Sequence, residues 1–220
     1  MDKEMRKRPI FGINRHRMGV DGKGVTTLVA FMGCPLNCKY CINAQCHDSI
    51  YEEDHSLRKG VQMLSPKELY DIVKKDNIYF QTTGGGVCFG GGEPTMNAYF
   101  IIEFAKLIPN GWKLTLETSL KCSCKTIESL APYVAEWIVD IKDTNVSIYE
   151  KYTGVSSEII QQLYYIKEFV PVDKVIVKVP HIPHFNTNED VKHSIEILKE
   201  IGITHIKVIT YMEHITHITK

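Results

Sequence analysis

A chain of 220 residues with 44% hydrophobic and 24% charged side chains can bury a sizeable core, which excludes a disordered segment or a fibrous repeat. Its 26 basic and 26 acidic residues cancel, so no overall charge marks it as a binder of nucleic acid or of an anionic membrane. No apolar run approaches the ~18 residues of a membrane span, and the charged start lacks the apolar stretch of a secretion signal, so a cytoplasmic protein is expected.

The elements follow in chain order as one domain over 1–220, opened by a short basic arm over about 1–19 that reads as solvated. A first strand over 27–32 runs straight into a cysteine-rich loop, and residues 44–64 carry little pattern. Ser65-Pro66-Lys67-Glu68 is a capping box with proline at the first helical position, opening a helix to about residue 75. Gly84-Gly85-Gly86 reads as a turn before a short strand over 86–90. Helices are then expected over 98–107, 126–133, 157–169 and 189–200, and strands over 113–118, 137–141, 174–179 and 205–211. Six strands separated by helices predict a parallel α/β sheet, because parallel neighbours need long crossovers. Both architectures open to such a chain, a partial six-stranded (βα) barrel and a doubly wound sheet, place the active site at the carboxyl ends of the strands.

The cysteine count is seven, an odd number, and three of them crowd into Cys34-Pro-Leu-Asn-Cys38-Lys-Tyr-Cys41. That crowding is poor for a disulfide framework and suits metal ligation in a reducing compartment. Structural zinc takes four ligands, and Cys46 or His47 is available as a fourth. The spacing misses that of a plant-type ferredoxin. Three thiolates on a [4Fe-4S] cluster leave one iron open to chelate a cofactor and pass it an electron. Gly90-Gly91-Gly92-Glu93-Pro94, directly after the second strand, allows close backbone approach to a ligand. A phosphate loop would need a Lys-Ser/Thr pair where Glu93-Pro94 stands.

With these two motifs the sequence resembles the radical S-adenosylmethionine (SAM) superfamily. Val20-Asp21-Gly22-Lys23-Gly24, Cys41-Ile42-Asn43, Gly84-Gly85-Gly86-Val87 and Val139-Asp140-Ile141-Lys142 extend the resemblance, in order, to pyruvate formate-lyase activating enzyme and the other glycyl radical enzyme activases. The resemblance implies a partial (βα)6 barrel, a [4Fe-4S] cluster on Cys34, Cys38 and Cys41, and reductive cleavage of SAM to methionine and a 5′-deoxyadenosyl radical. That radical would abstract hydrogen from a glycine of a partner enzyme, with a flavodoxin- or ferredoxin-type protein supplying the electron to a monomeric activase. Small-molecule or peptide enzymes of the same superfamily, such as deazapurine synthases and peptide maturases, are the alternative. The deazapurine branch usually carries a hydroxyl residue after the third cysteine, where this chain has Ile42. The chain ends at Lys220 without the cluster-bearing extension common in peptide maturases.

By the same resemblance Tyr40 lies near the adenine, Gly91, Gly92 and Glu93 contact the SAM amino group, and Lys142 approaches its carboxylate. Glu117, Thr118 and Asp140 stand where the family holds a monovalent cation, with Glu117 in place of an aspartate. Lys178 replaces an arginine near the cofactor, which loses a planar fork. Asp21 matches a residue that binds the partner's glycine loop, while Lys23 and Thr26 replace the family's Pro and Arg. A family histidine on the last strand is replaced near Tyr211-Met212. Cys46, Cys88, Cys122 and Cys124 read as ordinary thiols, and His214 and His217 as surface residues.

Overall fold

The computed structural model describes residues 7–212, so His214 and His217 lie outside the described residues. Six parallel strands form its centre, β2 (Val25–Phe31), β4 (Gly86–Gly91), β5 (Lys113–Thr118), β6 (Glu136–Asp140), β7 (Val175–His181) and β8 (His205–Thr210). They lie side by side in chain order. A doubly wound sheet would reverse direction at a switch point, and this sheet does not. Crossovers of one hand that always step the same way leave their helices on one face, which is the logic of a barrel wall. The sheet is a partial barrel, open at its edges.

Between the strands run α1 (Pro66–Val73), α2 (Asn77–Thr83), α3 (Ala98–Ala105), α4 (Cys124–Leu130), α5 (Val146–Thr153), α6 (Ile159–Phe169) and α7 (Asn188–Ile201). The capping box at the start of α1 forms as read: Ser65 Oγ accepts from the Glu68 amide at 3.2 Å, and Glu68 Oε2 accepts from the Ser65 amide at 2.7 Å. Helices α2 and α5, of seven and eight residues, lie in stretches given no element by periodicity, because two turns of helix are too short to declare a period.

Side chains alternate across the sheet. Val29, Phe31, Val87, Phe89, Leu114, Leu116, Trp137, Val139, Val175 and Val177 pack under the helices in one apolar core. The alternate positions, Cys88, Thr115, Glu117, Asp140 and Lys178, therefore line the barrel interior. An interior of charged and small groups is a place for polar chemistry.

The basic arm is corrected by the structure over its described part. Residues Arg8–Met18 form β1, paired antiparallel with β2 on one side and with the short β3 (Gln62–Leu64) on the other. Ile10 anchors the strand in the core. The arginines that made the arm look solvated serve buried acids instead. Arg15 Nε donates to both carboxylate oxygens of the fully buried Asp76 at 2.9 Å, and Thr27 Oγ1 donates to the same group at 2.8 Å. Arg17, at the end of β1, grips Asp21.

The Gly84 to Gly86 turn has a steric cause. Gly84 caps α2 in the left-handed region (φ +68°), and a Cβ on Gly86 would lie 2.0 Å from the Lys113 carbonyl oxygen.

Candidate active site

A cavity of about 410 Å³ lies at the carboxyl ends of the parallel strands. Its walls bring together Cys34, Cys38, Tyr40 and Cys41 from the loop after β2, and Gly91, Gly92 and Glu93 from the end of β4. Glu117 and Thr118 from β5, Asp140 and Lys142 from β6 and beyond, and Lys178 from β7 complete the set. Residues separated by more than 140 positions in sequence thus face one space.

The cysteine loop is pinned by backbone hydrogen bonds. The Asn37 and Lys39 amides donate to the Thr153 and Tyr152 carbonyls, at 2.8 and 3.2 Å, at the carboxyl end of α5. Asn43 Nδ2 donates to the Gly91 carbonyl at 3.0 Å, which ties the loop to the glycine motif. Burial pushes the Cys34 thiol up to about 12 and raises Cys38 as well. Cys41 goes the other way, down to about 6, chiefly because the buried Cys46 thiol donates a hydrogen bond to it. Cys46 is raised as the donor of that bond. All three loop cysteines are free.

Among the described residues, no three Cys, His, Asp or Glu side chains converge on a point that would hold a single metal ion. Three free thiols spread along one cavity wall fit a larger object, such as a cubane that takes each thiolate at a different corner. Thiolates are the donors an iron–sulfur cluster requires, and binding one would expel their protons.

The glycines of the second motif are needed first for the fold. The Gly92 amide donates to the Phe31 carbonyl at 2.9 Å, and a Cβ on Gly92 would lie 2.0 Å from the Gly33 carbonyl oxygen. The Glu93 carboxylate accepts from the Thr95 amide and hydroxyl, the Thr118 hydroxyl, and the Ser119 amide and hydroxyl, at 2.6 to 3.1 Å. Five donors exhaust a carboxylate. What this motif can offer a ligand is its backbone, with Glu93 holding the ends of β4 and β5 together.

Lys142 sits in the left-handed region (φ +62°), a conformation a lysine adopts only when its surroundings impose it. Its Nζ donates to Asp140 Oδ2 and to Tyr211 Oη, both at 2.8 Å, and Tyr211 Oη donates to the same Asp140 oxygen. Burial pulls the Lys142 ammonium down, but Asp140 and Tyr211 outweigh it and the group stays well above the usual lysine value. Asp140 Oδ1 is buried and has no partner. A buried carboxylate oxygen without a donor is a desolvation cost that this network leaves uncompensated. Lys178 Nζ pairs with Glu117 Oε1.

Asp21 does not reach this cavity. It is buried beside Arg17 before the amino end of β2, and that strand's seven residues, roughly 23 Å of extended chain, separate it from the cysteine loop. Tyr211 and Tyr152 line the cavity with their rings 6.0 Å apart and tilted at 46°; sequence reading assigned no role to Tyr152 and noted Tyr211 only where a family histidine is replaced. Tyr211 carried one usable signal, its position directly after the last strand. Tyr40 packs edge-on against Tyr152 and Phe185, at 6.1 and 5.6 Å. Cys88 is fully buried, and Cys122 and Cys124 line a separate, shallow hollow with Glu158 and Gln162.

A parallel partial barrel with three free cysteines on the loop after its first parallel strand is the architecture of radical SAM proteins. The comparisons narrow that class. Residues 20–158 match the 4Fe-4S single cluster domain family, and the chain belongs to it. The chain is 26% identical to the (2S)-3-sulfopropanediol dehydratase activating enzyme of Klebsiella oxytoca, over 92% of this chain and 81% of that protein. It is also 26% identical to the pyruvate formate-lyase 2-activating enzyme of Escherichia coli, over 93% of this chain and 77% of the relative. Choline trimethylamine-lyase activating enzyme of Oleidesulfovibrio alaskensis gives 26% over 84% and 76%. The fold resembles Streptococcus suis SuiB bound to S-adenosylmethionine, with a TM-score of 0.62 and 18% identity. That match covers 84% of this chain, which spans only 40% of SuiB. Among the described residues no helix is long and apolar enough to cross a membrane.

Proposed function

We propose that the protein is a monomeric cytoplasmic activase that binds a [4Fe-4S] cluster through Cys34, Cys38 and Cys41 and installs a glycyl radical on a partner enzyme. The observation that carries this reading is the single cavity onto which the thiols, Tyr40, the glycine motif and Lys142 all open. When bound, the cluster and SAM supply a one-electron reductive cleavage yielding methionine and a 5′-deoxyadenosyl radical. A flavodoxin- or ferredoxin-type protein would deliver the electron.

The chain's own residues bind, orient and exclude water. Lys142 Nζ, held by Asp140 and Tyr211, offers a fixed cation to the SAM carboxylate. The Tyr40 ring provides a π-face for the adenine, braced by Tyr152 and Phe185. The backbone of Gly91, Gly92 and Glu93 closes the cavity edge. Asp21, the acceptor that the family resemblance gives the partner's glycine loop, is here buried against Arg17 and off the cavity, so its part in partner binding rests on the resemblance alone.

Anaerobic reconstitution tests the reading. The expected result is about four irons per chain on a [4Fe-4S] cluster, methionine and 5′-deoxyadenosine on reduction, and a persistent glycyl EPR signal with the cognate partner. Asp21→Ala should lower the radical formed per SAM cleaved. Twice that iron content or tightly bound zinc would overturn the cluster assignment. Turnover of a free small molecule or peptide, with no glycyl radical, would move the protein to the deazapurine-synthase-like or peptide-maturase class.

A further inference from the structure

The residues to which the family resemblance assigns a monovalent cation do not fit one here, because one oxygen of each carboxylate and the threonine hydroxyl are already committed, and two ammonium groups occupy the charge position of the ion. Glu117 Oε1 is paired with Lys178 Nζ. Asp140 Oδ2 is taken by Lys142 and Tyr211. Thr118 Oγ1 donates to Glu93 Oε1 at 2.6 Å and accepts from the Leu120 amide at 2.9 Å. Two carboxylates face two ammonium groups, so the charges balance without a further ion.

The strand register explains how this comes about. Lys178 on β7 is the direct partner of Asp140 on β6, and Glu117 lies on β5, one strand further on. To meet Glu117 the Lys178 side chain must lean across β6, over two strand spacings, roughly 9 to 10 Å. A lysine stem and a lengthened acid can together close that gap, and a point-like ammonium can enter a space shaped for an ion. Glutamate for aspartate at 117 and lysine for arginine at 178, two of the departures from the family pattern, thus meet in one ion pair.

We propose that the Lys178 ammonium stands in place of the monovalent cation, so that this protein carries its counter-cation covalently and cleaves SAM without one from solution. The proposal rests on the reading of the cavity as a SAM site. Glu117 fixes Lys178, and Asp140 is left to Lys142.

The experiment compares SAM cleavage by the reconstituted holoenzyme in potassium, sodium and tetramethylammonium salts at fixed ionic strength. Thallium(I) binding is followed in parallel by thallium NMR, which needs no turnover. The wild-type rate should differ by less than twofold among the salts, with no specific thallium signal. Lys178→Met removes the ammonium at similar length. It should gain at least fivefold stimulation by potassium or sodium and acquire a thallium site. Fivefold stimulation or specific thallium binding in the wild type overturns the proposal, and that half of the test needs no variant. Iron-loaded Lys178→Met that gains neither property overturns it too. Failure of the SAM reading itself looks different, as no 5′-deoxyadenosine in any salt.

Discussion

Two buried acids at opposite ends of the barrel wall show what distinguishes a structural ion pair from a functional one. Asp76, under β1, receives Arg15, Thr27 and the nearby His16, and every carboxylate oxygen has a partner. Asp140, at the cavity, shares one oxygen between Lys142 and Tyr211 and leaves the other bare. A satisfied network holds the fold together, whereas an incomplete one leaves a buried acceptor whose desolvation nothing offsets. The first should govern unfolding and the second should govern binding.

The largest effect that would break this contrast lies at the cysteine loop. Replacing Cys34, Cys38 or Cys41 by Ala should abolish the cluster and lower SAM cleavage by at least about a thousandfold, equivalent to some 4 kcal/mol. The melting temperature of the metal-free chain should hardly move, because the thiols have little structural duty. Iron analysis and calorimetry on the same samples check both halves. Glu93→Ala, by contrast, strands five donors, three of them buried, and should destabilise the chain by about 3 kcal/mol, with SAM affinity falling alongside. Denaturant unfolding that left Glu93→Ala unchanged would remove that residue from the structural class.

Arg15→Ala should destabilise the fold, by less than the loss of a fully buried pair because the arginine is exposed, and should leave iron content and SAM binding intact. Lys142→Ala should do the opposite. It should weaken SAM binding about tenfold, near 1.4 kcal/mol, with iron content retained, as equilibrium binding would show. The smallest effect is on acid stability. Burial pushes the Asp76 carboxyl up, but the Arg15 and Thr27 hydrogen bonds overcome it and hold the group below its ordinary value. A depressed carboxyl stabilises the fold above the unfolded value of about 3.9 and loses that contribution as pH falls through the folded one. The acid-unfolding midpoint of Arg15→Ala should therefore move to higher pH than the wild type, by a few tenths of a unit.

The six parallel strands were legible because each is a short run rich in β-branched or apolar residues and most are separated by helix signals, and Ser65-Pro66 announced its helix through capping chemistry. Strand β1 was not, because its arginines read as solvated until their buried partners, Asp76 and Asp21, came from elsewhere in the chain. The cluster cysteines and the glycine motif were legible from local spacing alone. Tyr211 was not, since nothing local in sequence says that its hydroxyl meets Lys142, 69 positions earlier. Glu93 was found by its motif, but its five internal donors are a tertiary fact and turn an expected ligand contact into a brace.

The cysteine loop has a consequence for the order in which the protein is made. All three thiols, and the Cys46 thiol that donates to one of them, occur within the first 46 residues of the chain. The wall that encloses a cofactor needs Lys142, Lys178 and Tyr211, which leave the ribosome much later. The carbonyls that pin the loop, those of Gly91, Tyr152 and Thr153, come later, so the loop takes its final shape only once α5 is made, and the wall beside it only with the last strand. A lesion in the last strands should yield a protein that acquires iron on schedule and then fails to hold anything against it.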